Sequence, residues 1–320
     1  LFLVISTPQP NSRPLMHSSI KTSSLSVNAR ATASSICSTS VTRVTPKLEP
    51  LANEWAVDVA YSRKLHEYVS MAVALRFLYS DLNNGVNASV SGASQEMHPA
   101  WTMAADVALY YKQPISLPMG ESYFGLGFNL SNLGGKMTYD DYVSNFIPAN
   151  MRLGVSYEIP FDNYNRLMAT VECNKMLVPT YYSNKASDQT THRYSQEEYS
   201  AISSTAGWFQ SFADAPGYIN ETTGKTVSSS LEEFQEVQWG VGLEYSYNRQ
   251  FFGRVGYSHE NFYKGNRRYV TLGAGFHLSI FSLDFAYCIA TAPSNPLDNT
   301  MRFTLGFDLA GIKDLVNNRK

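Results

Sequence analysis

The 320-residue sequence contains no run of 18 or more apolar residues, and this excludes a transmembrane helix. Charged residues are also scarce, at 16% of the chain, and the formal net charge is only -2. Binding to a nucleic-acid backbone depends on a basic face, which this composition does not supply. We therefore expect no nucleic-acid partner.

Cysteine and histidine are too few and too scattered to suggest a metal site or a disulfide framework. The three cysteines, Cys37, Cys173 and Cys288, form no CxxC pair. The histidines show no HxxxH or HExxH spacing, and the chain has no GxSxG elbow or complete glycine fingerprint for a nucleotide. We expect no metal, no cofactor and no catalytic residue, and hence a protein that is not an enzyme.

Two compositions share the chain. Residues 1–50 are rich in Ser and Thr, with Phe2 as the single aromatic residue and no acidic residue before Glu49. We interpret this segment as atypical, either disordered or misjoined; an organellar transit peptide has a similar composition but fits poorly with the bacterial character of the remaining chain. Residues 51–320 are strand-rich, since the whole chain holds 21 Tyr and 17 Phe.

From Glu54 onward, apolar side chains alternate with polar or small ones. In one segment Phe281, Leu283 and Phe285 alternate with Ser282 and Asp284. A period of two is typical of a strand with one face in lipid. The pattern predicts eleven strands, at residues 54–62, 69–79, 101–111, 123–131, 149–159, 166–178, 236–247, 251–259, 268–280, 281–290 and 301–309.

The predicted connections alternate short and long. The short ones lie at 63–68, 112–122, 161–165, 248–250 and near 280, and the long ones at 80–100, 132–149, 179–235, 260–267 and 290–300. Outer-membrane barrels have short periplasmic turns and long extracellular loops, whereas a soluble β-sandwich has no reason to sort its loops by end. We predict an all-β transmembrane antiparallel barrel. Because such barrels have even strand numbers, an odd number of strands should precede Glu54.

Charged side chains fall on the face opposite the apolar stripes. We predict a charge network in the barrel lumen, because a charge facing lipid is costly. Arg302 is expected to pair with Asp284 or Asp308. General acid/base catalysis is the less favoured interpretation of the carboxylates. The predicted network comprises Asp58, Arg76, Asp106, Arg152, Glu244, Arg254, Asp284, Arg302 and Asp308.

The connection at 179–235 is far longer than a tie between two strands requires. It concentrates aromatic residues in the run WFQSFADAPG at 208–217. Exposed aromatic anchors are typical of protein interfaces. The predicted partner-binding residues are Trp208, Phe209, Phe212, Asp214 and Pro216. The alternative is that these aromatic residues fold back and plug the barrel mouth.

Nine runs, in order, resemble the PorV family of outer-membrane proteins. Among them are WAVDVAYSRKL at 55–65 and FIPANMRLG at 146–154. The others lie at 72–77, 104–115, 129–134, 174–179, 209–217, 264–269 and 295–303. The resemblance spans residues 54–310 and leaves residues 1–50 unmatched.

The resemblance implies a FadL-like barrel of about 14 strands in a Bacteroidetes outer membrane, with three strands before Glu54. It also implies a non-enzymatic role in the type IX secretion system. Such a protein accepts cargo from the translocon barrel (SprA or Sov) through the C-terminal domain of the cargo, and carries it to an attachment complex of PorU, PorQ and PorZ.

Two other functions compete with this one. A FadL-like transporter of hydrophobic small molecules would need a continuous apolar interior. A lipopolysaccharide-modifying barrel enzyme would need a nucleophile, a base and oxyanion donors that converge.

Overall fold

A computed structural model describes residues 2–5, 53–81, 88–90, 93–95, 98–140, 144–180, 196–219, 224–278, 280–292 and 298–307. The strands are β1 (Phe2–Ile5), β2 (Asn53–Lys64), β3 (Val69–Asp81), β4 (Ala88–Val90), β5 (Ala93–Gln95), β6 (Ala100–Leu117), β7 (Gly120–Gly134), β8 (Lys136–Thr138), β9 (Ser144–Phe146), β10 (Asn150–Pro160), β11 (Asn165–Met176), β12 (Tyr218–Ile219), β13 (Thr226–Val227), β14 (Gln238–Tyr247), β15 (Phe251–His259), β16 (Tyr269–His277), β17 (Phe281–Ala290) and β18 (Thr300–Phe307). The helices are α1 (Gln196–Ala201), α2 (Ser204–Gln210), α3 (Ser229–Gln235) and the 3-10 helix η1 (Phe262–Lys264). None of these helices is long and apolar enough to span a membrane.

One antiparallel sheet of 12 strands dominates the fold, in the order β1-β18-β17-β16-β15-β14-β11-β10-β7-β6-β3-β2. From β2 to β18 each long strand pairs with the next long strand along the chain, so the sheet is a meander. Its two ends, β1 and β2, are not joined to each other within the described residues, and the sheet is open. Three small hairpins, β4-β5, β8-β9 and β12-β13, lie in the long connections.

Strand β1 lies in the Ser/Thr-rich segment and pairs antiparallel with β18. The rest of residues 1–50 falls outside the described residues. Disorder or misjoining of that segment therefore stays a prediction, as do the additional strands expected before Glu54.

The eleven strands predicted from alternation are confirmed, with β6 and β7 as the main difference in length. The sequence predicted an eleven-residue turn at 112–122, and this was wrong. The two strands continue pairing as far as Leu117 and Gly120, so Pro118 and Met119 alone form the turn. The misleading signal was the run KQPISL at 112–117, whose polar residues and proline are typical of a loop.

The sheet is polar on one face and apolar on the other, and its apolar face is the exposed one. On β3 the side chain of Arg76 is 5% exposed, whereas that of Leu75 is 60% exposed. On β6 Thr102 is buried, whereas Trp101 is 64% exposed. A soluble sandwich buries its apolar face under a second sheet. No second sheet covers this face within the described residues, so the pattern is that of a membrane barrel.

One cluster of buried apolar side chains lies on the polar face, near the long-loop end of β3 and β6. Leu78, Ala100 and Ala104 pack there against Met137 and Ile147, which come from the β8-β9 connection. That connection therefore folds over the sheet and covers part of its polar face.

Aromatic side chains form two belts on the apolar face. Near the long-loop end, the ring of Trp55 lies 5.4 Å from that of Tyr79, and Trp239 stacks on His259 at 5.0 Å. Near the short-turn end, the rings of Tyr164 and Tyr247 are 6.4 Å apart. Along β14 the belts are separated by about 26 Å of strand at about 3.3 Å per residue. For a strand tilted by about 40° this corresponds to roughly 20 Å of height, near the roughly 25 Å apolar band of outer-membrane barrels.

Candidate functional site

Arg76 is the centre of a buried charge cluster on the polar face, near the long-loop end. Its Nε donates to Asp58 at 2.7 Å, and its second terminal nitrogen lies 3.2 Å from Asp106. Asp58 is directly opposite Arg76 in the pairing of β2 with β3, so the register itself creates the ion pair. Two carboxylates thus share one buried guanidinium.

A bulge adds an uncharged member to this cluster. The pairing of β6 with β7 shifts between Ala105 and Val107, and Asn132 adopts a φ of 58° at this irregularity. The Asn132 side chain accepts a hydrogen bond from Arg76 at 2.5 Å, and its backbone N–H donates to Asp106 at 2.7 Å. β-Bulges re-aim side chains in this way. Each of the three Arg76 nitrogens therefore has an acceptor on Asp58, Asn132 or Asp106.

A second charge cluster lies near the short-turn end of the same face. Arg254 donates to Glu244 and to Asp284, each at 2.5 Å, and His277 lies 3.2 Å from Asp284. The sequence predicted that Arg302 pairs with Asp284 or Asp308. The pair with Asp284 is wrong, because Arg254 occupies that carboxylate, and Asp308 lies outside the described residues. Arg302 is exposed, and it makes no ion pair with any described residue.

Gly275 explains how Arg254 reaches Asp284 from two strands away. Arg254 is on β15 and Asp284 on β17, so the guanidinium must cross β16 to reach the carboxylate. A Cβ at Gly275 would lie 2.6 Å from the Asp284 carboxylate and 3.0 Å from the Arg254 guanidinium. The missing side chain leaves the path for this interaction.

Between the clusters lies a trough of about 540 Å³ on the polar face. Its lining combines glycine, serine and threonine with apolar and aromatic residues such as Met168 and Tyr110, and Glu172, Glu244 and Arg254 bring charge to it. Glu172 lies between Gly154 and Gly240 on the neighbouring strands and makes no ion pair within the described part of the chain. Arg152 is one row nearer the long-loop end, and its Nε is buried without a hydrogen-bond partner among the described residues. The predicted network residue Asp308 lies outside the described residues.

The connection at 179–235, called the helical loop below, carries helices α1, α2 and α3. Its first half, with α1 and α2, packs on the β8-β9 hairpin. The Lys136 ammonium donates to the carbonyls of Tyr199 and Ser200 at 3.3 and 2.9 Å, and lies 4.1 Å above the Phe146 ring. Gly207 of α2 approaches the same ring, since a Cβ there would lie 2.8 Å from Phe146 and 2.9 Å from Pro179. Any larger residue at 207 would push α2 away from this seat.

The second half of the loop is held by a cluster of carboxylates and lysines around α3. Lys175 contacts Glu233 at 2.9 Å and Glu236 at 2.5 Å. Lys264 contacts Glu232 at 2.5 Å and Glu236 at 2.9 Å. Three acidic residues of one helical segment are thus bonded to a strand end on one side and to η1 on the other.

Backbone groups of the preceding segment complete this cluster. Ala215 donates its N–H to Glu233, and Gly217 donates to Glu232, both at 2.7 Å. Asp214 accepts from the backbone and hydroxyl of Thr180 at 2.7 and 3.2 Å. Hydrogen bonds therefore join Ala215 and Gly217 to α3, and join Asp214 to Thr180, which follows β11.

The charges of this cluster shift its pKa values in opposite directions. Burial, together with the nearby charges of Glu233 and Glu236, raises the pKa of Asp214. Burial would also raise the pKa of Glu236, but hydrogen bonds from Lys175 and Lys264 outweigh it and lower that pKa. The ionised form of Glu236 is therefore stabilised, whereas the ionised form of Asp214 is destabilised.

The carboxylate oxygens of Asp214, Glu233 and Glu236 lie within 4.8 Å of one another, a spacing that a metal ion accepts. However, the ammonium groups of Lys175 and Lys264 already lie against Glu233 and Glu236. Two lysines thus supply the positive charge that a cation would bring.

The predicted partner-binding residues divide into two groups. Phe209 is 78% exposed, Phe212 is 47% exposed, and Pro216 is exposed beside them. Trp208 is half-buried, and Asp214 is only 2% exposed. Asp214 is therefore not available to a partner, because its carboxylate is used inside the loop.

Sequence reasoning missed the residues that position this loop. Lys175 continues the apolar column of Val171 and Cys173 on β11, and a lysine in such a column was the available signal. The spacing of Glu232 and Glu236 places both on one side of a helix, which was a second signal. Their partner Lys264 comes from another connection, so no local pattern indicated it.

The family described as type IX secretion system protein PorV matches residues 34–183. The match covers 150 of the 320 residues, less than half of the chain. It starts inside the Ser/Thr-rich segment, which was expected to match nothing, and ends before α1.

No curated protein matches the chain. Among solved structures, the toluene transporter TbuX of Ralstonia pickettii is 11% identical, with a TM-score of 0.36. The match covers 82% of this chain and 68% of the TbuX chain. A FadL homologue of Pseudomonas aeruginosa is 11% identical, with a TM-score of 0.34. That match covers 83% of this chain and 69% of the homologue. Both likenesses are weak, and neither informs the function of this chain.

Proposed function

We propose that this chain is a non-enzymatic, multi-pass outer-membrane barrel that accepts secreted cargo from the type IX translocon. The cargo is recognised by its C-terminal signal domain and is carried to the cell-surface attachment complex. The translocon barrel is of the SprA or Sov kind, and the attachment complex holds proteins like PorU, PorQ and PorZ. The similarity of residues 34–183 to the PorV family is the basis of this proposal.

The organisation of the sheet supports its position in a membrane. Large apolar side chains are exposed on one face, charged clusters are satisfied on the other, and two aromatic belts bound the apolar band. Trp and Tyr prefer the boundary between lipid and water because their rings are amphipathic. The long connections then lie at the extracellular end, where cargo and attachment proteins are met.

The observation that carries the partner-binding role is the position of Phe209 and Phe212. Both rings are exposed, while Gly207 and Ser211 on the opposite side of the same segment are buried. The segment is fixed from below by Phe146 and Pro179. Large aromatic anchors on a rigid base lose little conformational entropy on binding, and such anchors dominate interface energies. We propose that Phe209, Phe212 and Pro216 contact the translocon or the cargo.

The trough argues against the transporter alternative. A conduit for hydrophobic small molecules needs an apolar interior. Apolar and aromatic residues line part of the trough, but Glu172, Glu244 and Arg254 also reach it, and burying charge against an apolar ligand is costly. The packing of α2 on Phe146 argues against the plug interpretation, because Phe209 and Phe212 are exposed while Gly207 faces Phe146.

Replacing both Phe209 and Phe212 by Ser tests the proposed interface. We expect an unchanged amount of folded protein, because neither ring is buried, and several-fold lower recovery of translocon or cargo in co-purification. Phe161→Ser is the matched control, since Phe161 is 51% exposed but lies in a short turn at the other end of the sheet.

Two outcomes would contradict the proposal. If the double variant fails to fold while Phe161→Ser folds, the aromatic residues act as a plug. If both variants fold and recover the same amounts of translocon and cargo as the native chain, this surface is not the interface.

A further inference from the structure

Helix α3 is bonded to Lys175, which lies on the apolar face of the sheet just beyond the exposed band. On β11 the apolar face carries Val171 and then Cys173, which is opposite Trp239, and Lys175 comes next on the same face. Lys175 is nevertheless only 6% exposed, because Glu233 and Glu236 cover it. Two carboxylates of α3 and its C-cap therefore reach a lysine that lies on the apolar face, one row beyond the pair of Cys173 and Trp239.

The two sides of α3 are inverted relative to a surface helix of a soluble protein. Glu232 is 5% exposed and Glu233 is half-buried, and their carboxylates bind Lys264 and Lys175, respectively. Phe234 is 75% exposed and Leu231 is 49% exposed on the other side. Charged groups are turned inward to lysines, and the apolar groups are turned away from the protein.

Helix η1 extends this apolar surface. Lys264 bonds η1 to α3 through Glu232, and Phe262 beside it is 63% exposed. Phe262 follows the end of β15 at His259, and the His259 ring stacks on Trp239. Both Phe234 and Phe262 are thus within five residues of the aromatic belt at the long-loop end.

We propose that α3 and η1 form a lipid-contacting collar, in which Leu231, Phe234 and Phe262 enter the boundary between headgroups and acyl chains of the outer leaflet. Along the chain, α3 directly precedes β14 and η1 directly follows β15, the strands that carry Trp239 and His259, so the lipids at this belt would also reach the collar. Interfacial helices bury an apolar side in this way and keep a polar side away from it. This inference rests on the membrane position proposed above, and it does not depend on the secretion role.

Collision accessibility of nitroxide labels tests the collar directly. Cys37, Cys173 and Cys288 are replaced by Ala, and single cysteines are introduced as Phe234→Cys and Phe262→Cys in dioleoylphosphatidylcholine vesicles. Lipid-soluble oxygen should relax both labels efficiently and a water-soluble nickel chelate poorly. Their oxygen-to-nickel ratio should be several-fold above that of Lys225→Cys, an exposed site elsewhere in the loop.

Val241→Cys on β14 reports the position of the sheet in the same vesicles. If Val241 is lipid-accessible while Phe234 and Phe262 match Lys225, the collar is in water and the inference is wrong. If those two labels are shielded from both reagents, protein covers them, and the inference is equally wrong. If Val241 itself is accessible to the nickel chelate, the membrane position and the collar fail together. Loss of cargo binding in the Phe209 and Phe212 variants bears on neither result.

Discussion

At the scale of single residues, the polar face is organised by two arginines that each bridge two carboxylates. Arg76 is held between Asp58 and Asp106, and Arg254 between Glu244 and Asp284. Removing one partner of a buried ion pair leaves an uncompensated charge, and this costs more than the pair itself contributes. Each arginine therefore affects stability mainly through the carboxylates that it neutralises.

Arg76→Met is expected to lower the free energy of unfolding by about 3 kcal/mol or more, because Asp58 and Asp106 lose their buried partner. The matched control is Arg302→Met on the same face, which should change that free energy by less than about 0.5 kcal/mol because Arg302 is exposed. Unfolding in guanidinium chloride, followed by tryptophan fluorescence, measures both. Equal effects of the two substitutions would refute the role given to Arg76.

At the scale of elements, alternation predicted the strands well because it is a local property with a period of two residues. Helices α1, α2 and α3 have six or seven residues each, too few for a helical period to appear against a polar background. They exist through contacts with other segments, such as that of Gly207 with Phe146 and that of Glu236 with Lys264. A sequence cannot reveal such contacts before the chain is folded.

The partners within each ion pair could not be predicted from the sequence either. Arg254 finds Asp284 two strands away because Gly275 leaves room, which requires the register of three strands at once. The pair of Asp58 and Arg76 needs only one hairpin, and both residues had been assigned to the same network from the sequence. The charged residues were thus predictable as a set, but their pairings were not.

Leu305→Arg on β18 tests which face of the strands meets lipid. The exposed Leu305 side chain is on the apolar face, so arginine there should cost about 2 to 4 kcal/mol near the bilayer midplane and reduce assembly. Thr304→Arg is the control, since Thr304 is opposite Asp284 on the polar face. Heat-modifiable migration of the folded protein measures both variants. Equal tolerance of arginine at 304 and 305 would contradict the orientation.

At the scale of the whole molecule, the open sheet, the covered polar face and the folded loop form a consistent arrangement. The band between the aromatic belts is exposed, the charges opposite it are mostly paired, and the long connections gather at one end. The loop at that end exposes Phe209 on α2, Phe212 just after α2, and Phe234 on α3. The proposals above give protein partners to the first two residues and lipid to the third.

The measurement that tests the secretion role most directly is the location of cargo in a strain that lacks this gene. Proteins that carry the C-terminal signal domain should accumulate in the periplasm, while uptake of fatty acids stays normal, and the native gene should restore secretion. Immunoblots of periplasmic and surface fractions, with labelled fatty-acid uptake measured in parallel, give both results. Normal surface display of the cargo together with reduced fatty-acid uptake would contradict the account and favour a transporter.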